Sequence, residues 1–303
     1  MNGKINNIAQ VASLRRYTIT EGTAKGIDVI DVDNGNIRFL LNVSKALDII
    51  QLYHKGVNMS FLSKNPLTGR EIPFENRFEG GMLYTCGFDN FGGRDGYETH
   101  GTFHNTVAEV VRAEVLNDCI VVESNIRCTA LFGKNLLIRR KISTNIGSNT
   151  VELNDTLVNE SFRTEEYCVL YHFNVGYPML DNGGKIVADV KSITPRNDWA
   201  KENIATALEI EDDVPEKVET CYYLDLNKPE VAYVNNNIAR KLTITYPLDK
   251  LPCFTVWKSM ASGDYALGLE PCTSELDSGF CRKQIKAKES ITFDLKITVE
   301  DLI

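Results

Sequence analysis

Hydrophobic and polar residues alternate along much of this chain. The segment 291–299, ITFDLKITV, is the clearest case, because its isoleucine, phenylalanine, leucine and valine residues all occupy odd positions. A period of two places such residues on one face of a β-strand and the polar residues on the other. The same alternation predicts strands at 27–33, 37–43, 118–126, 135–142, 149–158, 185–193 and 240–247.

Turn-forming residues separate these segments. Glycine, asparagine, aspartate and proline cluster at 33–36, 65–69, 181–184 and 227–230, and they favour tight turns. Residues 43–56 are the best candidate for a helix, although their apolar positions fit a strand as well. Many short strands between turns predict an all-β fold. We expect residues 1–303 to form a single large antiparallel β domain, with two stacked sheets and one concave face open to a ligand.

The composition is that of an ordinary globular protein. The 303 residues are 43% hydrophobic and 24% charged, and the formal net charge is −8. This charge disfavours nucleic acid and anionic membranes as partners, because both attract clustered lysine and arginine. No segment approaches the roughly 18 apolar residues of a membrane span, and the N-terminus lacks the apolar core of a signal peptide. We therefore expect a cytoplasmic protein.

Eight cysteines are scattered through the sequence at irregular spacing. None belongs to a C-x-x-C pair, the spacing typical of zinc sites and redox motifs. In a chain expected to stay in the cytoplasm, these residues are predicted to be reduced and mostly buried thiols.

Two residues stand out as candidate proton carriers. Glu270 ends an apolar run, ALGLE (266–270), and His172 lies between aromatic residues in LYHFNVGYP (170–178). Loss of solvation at the end of a buried strand would raise the pKa of Glu270 and make it a better base. His172 could hold a proton and donate it across a cleft. With Arg77 as a cation that binds hydroxyl oxygens, the set fits proton transfer on a polar, neutral substrate.

Each of these residues also has a structural interpretation. His172 fits a hydrogen-bonded position in the core, and Glu270 fits a strand-end charge paired with a lysine such as Lys258. Arg77 fits a surface cation, because most arginine head groups stay in water. His54 is expected to be a surface or packing residue. Only convergence of the candidate residues in the fold would favour the catalytic interpretation.

A metal site is a further alternative. His100 and His104 form an H-x3-H spacing that His172 and Glu270 could complete. Residues four apart on a strand lie about 13 Å apart, too far to bind one ion unless the chain bends at the nearby glycines. We therefore expect no metal and no other cofactor.

Three patches of sequence resemble the aldose 1-epimerase (galactose mutarotase-like) superfamily, and in particular a branch of aldose-epimerase-like proteins. They lie within residues 75–105, 163–178 and 254–274. The patches are GGMLYTCG (80–87) followed by HG (100–101) and Asn105, then LYHFNVGYP (170–178), then WKSMASGDYALGLEP (257–271). The third patch is long and fairly specific, and the order of the three strengthens the likeness. Together they cover about a third of the chain.

The resemblance implies a β-supersandwich, a large antiparallel β-sandwich whose concave sheet binds the sugar. It also implies an aldose 1-epimerase activity that needs no cofactor. Glu270 matches the family's catalytic base, which takes the proton from the anomeric hydroxyl, and His172 matches the general acid, which protonates the ring oxygen. Ring opening, rotation about the C1–C2 bond and reclosure then give the other anomer.

The resemblance implies two more residues that bind the substrate, and we expect two others beside them. His100 matches the histidine that holds the sugar near its ring oxygen. Arg77 matches an arginine that binds sugar hydroxyls. Lys258 and Asn174 are further expected members of the pocket.

The sequence departs from the family in two places. The first histidine begins HGTFH (100–104) rather than an HGG-like loop. The acidic residue that grips sugar hydroxyls in the family could here be Asp198, Asp225 or Asp264. Since that position helps to select which sugar hydroxyls the protein binds, the identity of the sugar stays open.

Two other functions also stay open. A noncatalytic carbohydrate-binding protein could share the fold, because fold does not determine function, although binding alone needs neither proton carrier. A metal-dependent sugar isomerase or lyase would use His100, His104 and His172. The expected partner is a small sugar, and the chain could form a homodimer, the commonest oligomer.

Overall fold

Eighteen β-strands make up about half of the chain in the computed structural model, which describes residues 3–302. They are β1 (Ser13–Thr18), β2 (Asp28–Asp33), β3 (Ile37–Asn42), β4 (Asp48–His54), β5 (Val57–Asn58), β6 (Leu83–Phe88), β7 (Ala108–Val115), β8 (Cys119–Thr129), β9 (Asn135–Asn145), β10 (Thr150–Asn159), β11 (Glu165–Val175), β12 (Lys185–Pro195), β13 (Thr220–Asn235), β14 (Arg240–Thr245), β15 (Cys253–Ala261), β16 (Asp264–Cys272), β17 (Lys283–Ile285) and β18 (Ser290–Asp301).

Helices are few and short. Within the described range they are α1 (Phe74–Arg77) and α2 (Asp198–Glu202), with 3₁₀ turns at Ile8–Gln10 and Ile204–Thr206. None of the helices between residues 3 and 302 has the length and apolar character needed to cross a membrane.

The strands form two antiparallel sheets. The smaller has the order β1-β2-β3-β4-β5, and the larger runs β17-β11-β16-β15-β13-β14-β18-β10-β9-β8-β7, with β12 beside β13 and β6 beside β11. All pairings between these strands are antiparallel. The prediction of an all-β antiparallel supersandwich is confirmed, and each strand predicted from alternation corresponds to an observed one.

The segment 43–56 contains a strand, so the helix alternative for it is wrong. β4 begins at Asp48 and pairs with β3 along its length. Just before it, Ala46 and Leu47 have φ angles of 52° and 56°. Two consecutive residues in the left-handed region are incompatible with a right-handed helix. The apolar residues of the segment are buried as strand and turn residues instead, as Leu52 shows.

The smaller sheet packs face to face against the larger one. Ile30, Phe39 and Leu41 of the smaller sheet lie in the same buried cluster as Ile138 and Phe293 of the larger. Along β10, buried and half-buried residues alternate at every position. One face of that strand therefore supplies the core and the other faces outward, which is the packing of a β-sandwich.

In contrast to β10, the strand β11 is covered on both faces. Its residues from Tyr167 to Val175 are all buried. Tyr171 and Phe173 belong to the main core, whereas Leu170 belongs to a second, smaller apolar cluster. Because neighbouring residues of a strand point to opposite faces, His172 lies on the face of the second cluster.

All eight cysteines are free thiols, and five of them are buried. Four of the buried ones, Cys86, Cys168, Cys221 and Cys272, lie in the second cluster. Burial raises the pKa of Cys168 to about 12. The cysteines thus pack as small apolar residues, as the sequence predicted.

A buried network of charged side chains joins the two sheets. Arg140 of β9 contacts Asp48 of β4 and Asp155 of β10, each at 2.6 Å. His104 lies between Asp48, at 2.6 Å, and Glu79, at 3.0 Å. Burial alone would lower the pKa of His104, but Glu79 and Asp48 raise it above its usual value. Burial alone would raise the pKa of Glu79, but His104 lowers it to about 2.

We expect Arg140→Leu to lower the free energy of unfolding by about 3–5 kcal/mol, because it leaves the Asp48 and Asp155 carboxylates buried without their cation. The neighbouring Arg139 is exposed, so Arg139→Leu is the matched control and should change stability by less than about 0.5 kcal/mol. Urea denaturation of both variants measures the difference. Equal losses in the two variants would contradict the importance of the network.

Candidate active site

A cavity of about 620 Å³ opens on the second face of the larger sheet, a volume typical of ligand sites. The aromatic residues that line it are Phe61, Phe74, Phe78 and Trp257. The ionisable residues that line it are Lys64, Glu75, His100, His172, Arg196, Lys217, Glu219, Cys221, Asp264 and Glu270. The cavity therefore combines apolar walls with convergent polar groups.

His172 and Glu270 meet on the floor of this cavity. The register of β11 and β16 pairs Phe173 with Leu269. The residues next to this pair, His172 and Glu270, therefore lie opposite each other and point to the same face. His172 Nε2 and Glu270 Oε1 are 3.2 Å apart. Two residues almost one hundred positions apart in sequence thus come into close contact. The contact lacks hydrogen-bond geometry, because Glu270 Oε1 has no hydrogen-bond partner within residues 3–302 of the protein.

Gly268 leaves room for this contact. It lies on the same face of β16 as Glu270 and two residues before it. A Cβ atom at this position would lie 2.4 Å from Glu270 Oε1 and 2.9 Å from His172 Cε1. Real Cβ atoms do not approach other atoms so closely, so any other residue here would displace the pair.

Burial places the proton of the pair on the carboxyl group. Burial, with a smaller contribution from the charge of Glu219, raises the pKa of Glu270 to about 8. Burial, together with nearby His100, lowers the pKa of His172 well below its usual value. Both shifts favour the neutral forms of the two groups. Near neutral pH the contact therefore holds one proton, with a carboxylic acid beside a neutral imidazole.

His100 reaches the cavity from a loop. Its backbone is left-handed, with a φ of 62°, and its ring lies 5.6 Å from that of His172 and 5.0 Å from that of Phe74, measured between centroids. Nδ1 accepts a hydrogen bond from the Gly92 backbone N–H at 3.4 Å. Burial lowers the pKa of His100 to about 4. The neutral ring accepts at Nδ1 and so carries its proton on Nε2.

The sequence matches one protein family over most of its length. The family is described as "Domain of unknown function (DUF4432)", and its profile matches residues 24–299. The chain belongs to the DUF4432 family. No protein of curated function is significantly similar to it in sequence.

Solved structures share the fold of this DUF4432 chain. A proposed aldose 1-epimerase from Klebsiella pneumoniae aligns with a TM-score of 0.86 and 23% identity, over 97% of this chain and 87% of that one. A galactose mutarotase-like protein from Clostridium acetobutylicum aligns with a TM-score of 0.69 and 15% identity, over 97% of this chain and 100% of that one. A galactose 1-epimerase from Lactobacillus acidophilus aligns with a TM-score of 0.65 and 11% identity, over 96% of this chain and 100% of that one. The chain therefore has the galactose mutarotase-like β-sandwich fold, as the resemblance implied.

Three of the six site residues predicted from the sequence line the cavity of the DUF4432 domain: Glu270, His172 and His100. Arg77 lies elsewhere, contrary to expectation. Its side chain is buried and pairs with Glu98 at 2.5 Å, and it is not part of the cavity lining. Although α1 carries Arg77 close to the cavity, the guanidinium is occupied by this ion pair.

Lys258 and Asn174 do not line the cavity either. Lys258 follows Trp257 on β15, and because successive residues alternate it points to the opposite face. There its Nζ donates to the carbonyl of Thr206 at 2.7 Å. Asn174 is fully buried, and its Nδ2 donates to the carbonyl of His172 at 3.0 Å. It lies on the same face of β11 as His172, and its Oδ1 has no hydrogen-bond partner in the described part of the protein.

Several residues that line the cavity were not predicted from the sequence. Trp257 Nε1 donates to Glu219 Oε2 at 2.6 Å, and Arg196 donates two hydrogen bonds to Asp277, at 2.6 and 2.9 Å. Trp257 could have been found, because it alternates with Ser259 in the third patch of the resemblance. Glu219 and Arg196 stand beside strand ends in polar stretches without any periodic signal.

One of the three candidate acidic residues lies in the cavity, namely Asp264. Its Oδ2 pairs with Lys64 Nζ at 2.7 Å. Asp225 instead pairs with Lys191 at 2.9 Å, and Asp198 lies in the first turn of α2. Neither of these two lines the cavity.

The proposed metal set of His100, His104 and His172 is not assembled. Both ring nitrogens of His104 contact carboxylates of the buried network, and its ring stacks on Tyr84 at 3.7 Å. Across residues 3–302, no group of three or more histidine, cysteine, aspartate or glutamate side chains is arranged to hold a metal ion. The metal-dependent alternative therefore lacks its ligand set.

We expect the Glu270 carboxyl to titrate near pH 8, because burial penalises its charged form. Infrared difference spectra between the protein and Glu270→Gln would isolate the carboxyl band as a function of pH. Glu219→Gln should lower the pKa of Glu270, since it removes a neighbouring negative charge. Glu152→Gln, at a surface pair with Lys296, is the control. A band that titrates below pH 5 would contradict the shift.

Proposed function

We propose that this protein is a mutarotase of the aldose 1-epimerase type, which interconverts the anomers of a free sugar by acid–base ring opening and closure. The observation that carries the proposal is the 3.2 Å contact between His172 and Glu270 on the cavity floor. The likeness to solved epimerase-like structures agrees with the proposal and supplies the fold alone.

The geometry of the pair matches the bonds that must change. The anomeric hydroxyl and the ring oxygen of a pyranose are both bonded to C1, so the base and the acid that serve them have to lie side by side. Glu270 takes the proton of the anomeric hydroxyl while His172 gives a proton to the ring oxygen. The ring opens to the aldehyde, rotation about C1–C2 exposes its other face, and the reverse transfers close the ring.

The proton count of the pair is consistent with this cycle. One proton has to be present for donation, and one acceptor has to be vacant. At pH values between the lowered pKa of His172 and the raised pKa of Glu270, the pair holds one proton. Passage of that proton across the contact converts the carboxylic acid and imidazole into carboxylate and imidazolium, so either group can begin the exchange.

The walls of the cavity suit a sugar ring. Trp257 and Phe78 stand on either side of His172, with ring centroids 5.5 and 6.0 Å from it, and aromatic faces pack against the C–H face of a sugar. His100 carries a proton on Nε2 that can bind the ring oxygen. A noncatalytic sugar-binding protein would need the aromatic walls but neither proton carrier, so the buried pair favours catalysis.

We expect Glu270→Gln and His172→Asn each to lower the catalysed rate of anomer exchange by about 100-fold or more, because each removes a proton carrier. Saturation-transfer NMR across a panel of free hexoses, with the uncatalysed rate subtracted, measures the effect. Glu152→Gln again serves as the control and should retain the full rate. Unchanged exchange in the two site variants would refute the assignment of the pair.

The rate should also depend on pH in a defined direction. Glu270 has a raised pKa of about 8, so the pair keeps its single proton below that value and loses it as the pH rises through 8. We expect the catalysed kcat/KM to fall about tenfold per pH unit above pH 8, since no proton is then left to donate. A catalysed rate that continues to rise between pH 8 and 9.5 would contradict the one-proton mechanism.

A further inference from the structure

The cavity extends well beyond the His172–Glu270 pair. Asp264 and Glu270 both line it. Asp264 begins β16, and Glu270 lies six residues later on the same face of the strand. At about 3.4 Å per residue their Cα atoms lie about 20 Å apart, far more than the width of one pyranose ring. A sugar placed over Glu270 and His172 therefore leaves the part near Asp264 unfilled. We call this part, lined by Lys64, Ser259, Ala261 and Asp264, the outer subsite.

The floor of the outer subsite is low. The register of β15 and β16 places Ser259 opposite Ala266 and Ala261 opposite Asp264. Gly268 precedes Glu270 on the same face and carries no side chain. Trp257 lies opposite Gly268 on the same face and lines the cavity, so a ligand longer than one ring runs past its indole to reach the low floor beside Ser259 and Ala261.

The outer subsite offers both kinds of hydrogen-bonding group. Lys64 Nζ and Asp264 Oδ2 are 2.7 Å apart, and their side chains are 69% and 42% exposed. Exposed ion pairs of this kind contribute little net stability. The carboxylate and the ammonium can therefore turn to sugar hydroxyls at small cost, one as acceptor and the other as donor.

The charges of the cavity favour a neutral ligand. Each cation in the lining already faces a carboxylate: Lys64 faces Asp264, Arg196 faces Asp277 and Lys217 faces Glu211. Glu75 and Glu219 add further acidic side chains to the lining. A phosphate or carboxylate group that reached Lys64 would also lie beside the Asp264 carboxylate, 2.7 Å from the Lys64 ammonium, and would be repelled by it.

We propose that the substrate is a neutral reducing oligosaccharide of at least two sugar units. The reducing unit lies over His172 and Glu270, and the next unit occupies the outer subsite. This inference rests on the proposed mutarotase function and specifies its substrate class. The chemistry at the reducing unit is unchanged, because the proton transfers involve only C1, its hydroxyl and the ring oxygen.

The test compares disaccharides with the monosaccharides that form their reducing ends. Anomer exchange of maltose, cellobiose and lactose is measured by saturation-transfer NMR beside that of glucose and glucose 6-phosphate. We expect kcat/KM for at least one disaccharide to exceed that for glucose by about tenfold or more, as hydrogen bonds to charged groups would provide. Glucose 6-phosphate should be exchanged no better than glucose.

Two variants locate the effect in the outer subsite. Ala261→Trp fills the space above the floor, and Asp264→Asn removes the charged acceptor without changing its shape. Each should lower the ratio of the disaccharide kcat/KM to the glucose kcat/KM by about tenfold. Val187→Trp, at an exposed position of β12, is the control for a surface tryptophan and should leave that ratio unchanged.

The outcomes separate this inference from the proposed function. Catalysed exchange of glucose with no disaccharide exchanged faster would overturn the inference and leave the mutarotase proposal intact. The inference is likewise overturned, and the mutarotase proposal retained, if glucose 6-phosphate is preferred or if neither outer-subsite variant changes the ratio. Absence of catalysed exchange with every sugar would overturn both.

Discussion

Burial of β11 and β16, two strands of the larger sheet, on both of their faces determines where chemistry can occur in this protein. At β11 and β16, one face contacts the main core and the other contacts the second apolar cluster and the cavity. A carboxyl group on the second face loses its hydration, and an imidazole nitrogen lies 3.2 Å from it. An exposed strand of the same sequence would carry an ordinary ionised glutamate. The reactivity of Glu270 thus follows from the layering of the fold.

Much of the fold could be predicted from the sequence, because alternation in a half-buried strand is a local property. The strand at 291–299 shows this directly, since its odd residues face the core. The segment 43–56 was ambiguous because its apolar positions fit both the period of a helix and that of a strand. Pairing with β3 resolved it, and such pairing joins distant residues that a single segment cannot reveal.

The candidate site was predictable only in part, for the same reason. Glu270 and His172 stood out because each interrupts an apolar strand with an ionisable group. Lys258 was misplaced because its neighbour Trp257 occupies the cavity face of β15. Arg77 was misplaced because its partner Glu98 could not be identified from sequence distance. The side a residue faces follows from the strand register, and the partner it meets follows from the whole fold.

The wall of the cavity is continuous with the buried charge network. Tyr84 stacks on His104 at 3.7 Å, and its other contacts include Phe78 at 5.1 Å, measured between ring centroids. His104 is in turn fixed by Asp48 and Glu79. The side chains that join the two sheets therefore also support the aromatic surface on which a ligand would rest, so stability and site shape depend on shared residues.

The position of Trp257 gives the molecule a built-in optical reporter. The sequence contains two tryptophans. Trp257 lies in the cavity wall with its indole hydrogen-bonded to Glu219, whereas Trp199 is partly exposed and hydrogen-bonded to the backbone of Val218. Replacement of Trp199 by phenylalanine would leave Trp257, beside the acid–base pair, as the single tryptophan. Its fluorescence would then sense whatever enters the cavity, without any attached dye.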